Sequence, residues 1–253
     1  MVSLYDTLDC AALEQDLPRL RALFSANAAL HERSGRFIAA AGSLYGDSLR
    51  TARGCVLLKK ARRYASSLAS RTLPSLGPFT GRESLRFASA ITPLGVHSYA
   101  ACNAKHCEQV YVFDDRFGAL AGEFLSTIRD SAIAGGYDVT VCRSFLAPYE
   151  RIEAVFVDSE SLCFISSTAL SGVLPEGAVR VRESRFYDAA ALSAVERRLA
   201  FSKKAMLALL GQAAELMAEA KAVHDEIESI YTPRVNFEQV RTHETALCEM
   251  LGL

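Results

Sequence analysis

Hydrophobic positions along this chain follow two rhythms, with changes near residue 82 and again near residue 186. From Arg19 to Ile38 apolar residues recur at helical spacing (Leu20, Leu23, Phe24, Leu30, Phe37, Ile38), which gives one buried face interrupted by Asn27 and Ser34. Residues 1–73 read as helical throughout, with Pro18 early enough to open a helix rather than break one and a second helix over Cys55–Leu68. Thr72–Gly81 carries two prolines and two glycines and reads as a boundary loop. Beyond it the rhythm shortens. Apolar, β-branched or aromatic runs at Leu85–Ile91, Val110–Phe113, Tyr137–Cys142, Ala154–Val157, Leu162–Ile165 and Ala178–Val181 predict strands, and His97–Cys107 and Gly122–Ile133 predict helices. Strands separated by helix-length segments imply an α/β core with a mostly parallel sheet, and the short Asp158–Ser161 connection predicts one hairpin within it. From Tyr187 the pattern is helical again. Ala189–Ile230 reads as one long helix or a hairpin of two, since a lone Gly211 forces no break, and Val235–Gly252 supplies a last helix after Thr232-Pro233. Three regions are therefore expected: 1–75 helical, 82–185 α/β, and 186–253 helical.

The stretch Gln109–Thr127, QVYVFDDRFGALAGEFLST, joins a strand, a loop with Gly118 and Gly122, and a helix. Phosphate-binding loops are built this way, because a helix N-terminus offers unpaired N–H groups to an anion. The residues expected to form such a loop here are Asp114, Asp115, Arg116, Phe117, Gly118, Gly122 and Glu123, and no Lys-Ser or Lys-Thr follows them.

Composition narrows the setting without naming a task. The 253 residues are 50% hydrophobic and 23% charged with a net charge of -1, so there is enough apolar material for a core and no global attraction to nucleic acid or an anionic membrane. Seven scattered cysteines without a CxxC pair suggest neither a disulfide framework nor a zinc ribbon. The first residues lack a basic segment followed by an apolar one, and no run approaches membrane-spanning length, so a reduced, cytoplasmic protein is expected. The basic residues Arg50, Arg53, Lys59, Lys60, Arg62 and Arg63 read as a solvated helix face; as a nucleic-acid surface they would lack aromatic platforms beyond Tyr64.

The segment Arg86–Val96, RFASAITPLGV, together with the strand-loop-helix after it and the stretches Ala220–Tyr231 and Asn236–Glu238, resembles a bacterial family of P-loop ATPase-like proteins. The resemblance implies two P-loop cores in tandem, each with a helical extension. This chain then looks like the extension of a first copy (1–75) followed by a second copy, a three-layer P-loop NTPase-like core (82–185) with its helical extension (186–253). Weak echoes between the flanks, Leu4-Tyr5-Asp6 with Phe186-Tyr187-Asp188 and Ala39–Asp47 with Ala218–Glu226, fit that arrangement.

Against the family's Walker A pattern, Asp115 stands at the first glycine, Leu120 at the last, Ala121 at the lysine and Gly122 at the magnesium-binding hydroxyl. Shifting the register puts Glu123 at the lysine and Phe124 at the hydroxyl. Asp114, Asp115 and Glu123 would repel phosphate by about 1 kcal/mol per contact at ~4 Å even in water. At the Walker B position the strand LCFISS offers Ser166 in place of the carboxylate, with Asp158 as a spatial alternative. The expectation is a vestigial nucleotide site on a non-catalytic scaffold or regulatory protein. No cofactor is expected, and ATP with Mg²⁺ is the alternative. Partners are expected through the helical flanks, as a homo-oligomer or with another protein.

Three further constellations need weighing. Cys102 and His106, four apart on the expected helix, suggest paired metal ligands or a Cys–His nucleophile, with His97 and Cys107 nearby; ordinary packing is the simpler reading. His224-Asp225-Glu226 lacks the second histidine of a zinc-protease motif. Arg116 either binds an anion or pairs with Asp114, Asp115 or Glu123 to hold the loop shut.

Overall fold

The structure is a computed structural model that describes residues 4–171 and 175–252. Met1–Ser3 and Leu253, at the ends of the expected first and third regions, and residues 172–174 of the expected core lie outside it. Two compact units emerge, one of residues up to Ser34 with residues from Glu215 onward, the other Gly35–Ala214. These units cut across the three regions expected along the chain, because two long helices, α1 (Cys10–Arg53) and α5 (Ala189–Tyr231), each contribute to both.

In the smaller unit Leu13 and Leu20 of α1 pack with Ile227 and Ile230 of α5. Phe24 meets Tyr231 edge-on at 6.5 Å. Asn27, the polar break in the predicted stripe, donates through Nδ2 to the Ala220 carbonyl at 3.0 Å, so its place on the buried face is satisfied. Pro18 lies inside α1 rather than at its start. It is exposed, so the carbonyl it leaves unpaired faces water. Asp9 begins α1 by accepting from the Ala12 N–H at 3.0 Å. The echo Leu4-Tyr5-Asp6 therefore does not align the caps of the two long helices: Asp188 caps α5 through Ala190 and Ala191, whereas Asp6 faces His243. A last helix, α6 (Phe237–Leu251), starts at Asn236, whose side chain accepts from Glu238 and Gln239 N–H groups, and ends at Gly252 with φ 71°.

The larger unit is an α/β structure. Strands β1 (Glu83–Phe87), β4 (Gln109–Asp114), β5 (Val139–Arg143), β6 (Ile152–Val157), β7 (Leu162–Ser167) and β8 (Val179–Val181) form one sheet in the order β1-β5-β6-β7-β4-β8. Only β6 runs against its neighbours, so the sheet is mostly parallel. The β6–β7 hairpin turns at Asp158–Ser161 as the short spacing predicts, with Ser161 left-handed at φ 48°.

Strict alternation assigns the two faces. Val141, Val155, Val157, Leu162 and Phe164 point into a core made with α4 (Ala119–Ala134) and α2 (Leu58–Thr72). Their neighbours Cys142, Ala154, Phe156, Cys163 and Ile165 form a smaller cluster with Ala88, Ala100 and Ala104. That second cover is slight. The run Leu85–Ile91 breaks at Ala88 into β1 and β2 (Ser89–Thr92), and β2 leaves the sheet to pair with β3 (Gly95–Ser98). The helix expected over His97–Cys107 is the end of β3, one turn of α3 (Ala100–Asn103) and a 3₁₀ turn. Gly95, at φ 105°, makes the hairpin turn that converts this segment from helix to strand. Among the described residues no helix is long and apolar enough to cross a membrane.

Candidate functional site

Strand β4 ends at Asp114 and α4 begins at Ala119, so the strand-loop-helix expected at Gln109–Thr127 forms with a four-residue loop. The Asp115 N–H donates to the Ser167 carbonyl at 2.9 Å, extending the β4–β7 ladder one residue into that loop. Gly118 closes it at φ 81°, and an added Cβ there would lie 2.4 Å from Tyr45 Oη, so both the turn and the close approach require glycine. Helix α4 starts three residues earlier than predicted. Gly122 and Glu123 are accordingly residues of its first turns, not of the loop.

The N-terminus of α4 is already occupied. Asp115 Oδ2 accepts from the Ala121 N–H at 2.7 Å, and Oδ1 accepts from the Tyr187 hydroxyl at 3.3 Å. This carboxylate takes the position, relative to the helix dipole, where an anion would sit. Asp115 is 1% exposed. Burial pushes its carboxyl up to about 6, outweighing the pull of the Ala121 hydrogen bond and of the Arg151 charge.

Every other charge of the loop also has a partner. Arg116 donates from its backbone N and its Nε to Glu183, both at 2.7 Å, and Nη1 reaches Glu196 at 3.4 Å. The expected pairing of Arg116 with Asp114, Asp115 or Glu123 is thus corrected: Asp115 is turned inward to the helix, Asp114 faces Arg180 at 2.6 Å, and Glu123 lies between Arg53 at 2.5 Å and Arg62 at 3.0 Å. Two arginines of the basic segment are therefore engaged within the fold. Phe117 is buried, edge-on to Tyr187 at 6.5 Å, with the Arg116 guanidinium 4.9 Å over its ring.

On β7, Ser166 Oγ accepts from Arg151 Nη2 at 2.6 Å. Arg151 is fully buried, 3.4 Å from Glu153 and 5.8 Å over the Tyr45 ring, and Ser89 donates to Glu153 at 2.6 Å. Arg151 Nε, Tyr45 Oη and Ser144 Oγ have no hydrogen-bond partner. Burial raises the Tyr45 hydroxyl to about 12. Asp158 cannot substitute for Ser166. It lies beyond the opposite end of β7, and a six-residue strand spans about 20 Å.

The sulfur and histidine candidates separate. His97 is on β3 opposite Ala90, Cys102 is in α3, His106 ends the 3₁₀ turn, and Cys107 packs on the cluster containing Cys163. Among the described residues, the one group of three ligand-type side chains that converges is His224, Asp225 and Glu228, all exposed, and Lys221 already pairs with Asp225 at 2.7 Å.

Beside the loop, at the C-terminal ends of β4, β7 and β8, lies an open cleft of about 440 Å³ lined by Asp114, Asp115, Arg116, Ser167, Thr168, Ala169, Arg180, Arg182, Glu183, Ser184 and Lys203. Sequence reasoning missed Arg151, Tyr45, Tyr187, Arg182 and Lys203. The alternating Arg180-Val181-Arg182 was the one local signal, since a strand carrying charge on its outward positions ends at a cationic rim. No protein-family model matches the chain, and no curated protein or solved structure is significantly similar to it.

Proposed function

We propose that the larger unit is a P-loop NTPase-like core whose nucleotide site is vestigial, and that the protein acts as a non-catalytic scaffold or regulatory protein. The observation that carries this reading is the Asp115 carboxylate on the Ala121 N–H, an internal anion where a phosphate-binding loop would present an open helix end. Arg116, the candidate replacement for a lysine, is engaged by Glu183 and Glu196. Ser166, at the position of a magnesium carboxylate, serves as acceptor for a buried arginine. A loop so arranged offers no free cation of its own at its helix end for the β- and γ-phosphates, and Ser166 supplies no carboxylate for Mg²⁺.

Interaction through the helical flanks completes it. Helix α6 buries none of its own residues and exposes Phe237, Leu247, Met250 and Leu251, an apolar face suited to a second copy or a protein partner. Thermal unfolding with and without Mg-ATP tests the vestigial site, because ligand at a hundredfold excess over Kd would stabilise by about 2.7 kcal/mol. No change is expected. A clear shift that disappears in Arg116→Ala would sink the proposal in favour of an ATP-binding protein with a non-standard loop.

A further inference from the structure

The cleft beside the closed loop holds more cations than its carboxylates neutralise. Its lining has four, Arg116, Arg180, Arg182 and Lys203, against Asp114, Asp115 and Glu183. Arg180 is paired with Asp114 and Arg116 with Glu183, while the Asp115 carboxyl is turned into the α4 N-terminus and Tyr187. Arg182 and Lys203 remain, the first just past β8 and the second on α5, and neither makes an ion pair among the described residues. Three hydroxyls, Ser167, Thr168 and Ser184, line the same space. Two unpaired cations with hydroxyl donors match a compact dianion, and phosphate carries between about 1.5 and 2 negative charges at neutral pH.

A narrow slot of about 30 Å³ adjoins the cleft and shares Arg116, Thr168, Ala169 and Lys203 with it. Tyr45 lines this slot. It is 6% exposed, and its hydroxyl is shut off from solvent against Gly118 and Arg151, so the slot is walled mainly by apolar side chains such as Phe117, Leu170, Leu199 and Met206.

We infer that this cleft is a phosphate-binding site, separate from the closed loop and independent of Mg²⁺, in which Lys203 and Arg182 hold the phosphoryl oxygens. The phosphate is either the free ion or the head group of a small phosphomonoester whose organic part lies in the open cleft. The site goes beyond the vestigial-loop reading, because it uses none of the α4 N–H groups. Its placement at the carboxyl ends of parallel strands is where open α/β sheets leave a crevice.

Titration calorimetry of the full chain, without metal, against inorganic phosphate and against a hexose monophosphate tests the inference. Saturable binding is expected, weakened about tenfold or more by Lys203→Met and by Arg182→Gln, the effect of losing one charge-assisted contact. Lys204→Met, the same charge change on the next, exposed residue, is expected to leave affinity unchanged. Relative affinity separates the two sources: tighter binding of the ester than of inorganic phosphate gives its organic part a place in the cleft, and equal or weaker binding assigns the site to the free ion. Absence of binding at millimolar phosphate overturns the inference, as does equal weakening by Lys204→Met. If ATP is also silent, that failure leaves the vestigial-loop reading standing. Binding of ATP that requires Mg²⁺, with no binding of phosphate, overturns both.

Discussion

Replacing Asp115 by asparagine isolates the energetic cost of the loop's internal anion. In the fold this carboxyl is pushed from 3.8 to about 6, chiefly by burial, with the Ala121 N–H and Arg151 pulling the other way. A group whose folded pKa lies above its unfolded one binds more protons in the native state, so it stabilises the fold below pH 3.8, and that stability is lost as pH rises through about 6. The two values lie roughly two pH units apart, and each unit is worth 1.36 kcal/mol, so about 3 kcal/mol is lost between pH ~4 and 7. Asparagine is neutral throughout and retains an oxygen for the Ala121 N–H. Its stability relative to wild type therefore rises with pH across that window and then levels off.

Urea unfolding at several pH values, followed by tyrosine near-ultraviolet circular dichroism, measures the difference directly. The chain has no tryptophan, while Tyr45 and Tyr187 both lie against the loop and lose their fixed environment when it unfolds. The variant-minus-wild-type curve is expected to climb by about 3 kcal/mol between pH ~4 and 7. A flat difference across this range would refute the reasoning, because it would mean that the carboxylate titrates as it does in water.

Four other single substitutions test further steps. Gly118→Ala places a Cβ 2.4 Å from Tyr45 Oη at a positive φ, and thermal unfolding is expected to register a loss of about 2–4 kcal/mol, whereas Gly211→Ala, in open space on α5, is expected to gain about 0.5–1 kcal/mol. Arg151→Met leaves Glu153 buried with Ser89 alone, so denaturant unfolding is expected to cost roughly 3–5 kcal/mol, much of it recovered in the double variant with Glu153→Gln. Asn236→Ala removes the acceptor for two N–H groups at the start of α6, and helix content and unfolding midpoint should report about 1 kcal/mol lost.

The α/β core was legible because short apolar, β-branched or aromatic runs recur between helix-length segments. Residues 154–157 and 162–165 are apolar at every position because both faces of the sheet are covered there, so their length and bounding turn, not a period, mark them as strands. The helical flanks were legible from apolar residues at helical spacing, as in Arg19–Ile38. What failed was punctuation. Pro18 looked like a helix start because sequence does not reveal that its free carbonyl neighbour faces water, and His97 looked helical because Gly95 at φ 105° is a property of the fold, not of the residue name. The long helices α1 and α5 were legible as helices, while their division between two compact units was not, since that depends on contacts some two hundred residues apart, such as Asn27 with Ala220.

The loop demonstrates a sharper limit. The expected residues include all four of the loop, Asp115–Gly118, together with Asp114 of β4 and Gly122 and Glu123 of α4, and none of their distant charge partners was read from the sequence. Arg116 meets Glu183 and Glu196, Asp114 meets Arg180, and Glu123 meets Arg53 and Arg62, each at least sixty residues away in the chain. Local charge pairing was the natural expectation, because Asp114, Asp115 and Arg116 adjoin one another. Geometry decides otherwise: neighbouring side chains leave a strand end on opposite faces, and the pleat sends Asp115 inward to α4 while Asp114 goes outward to β8. A carboxylate sent inward must be solvated by something, and here it is met by the Ala121 N–H of α4 and the Tyr187 hydroxyl. Closure of the loop therefore follows from one residue's parity on β4.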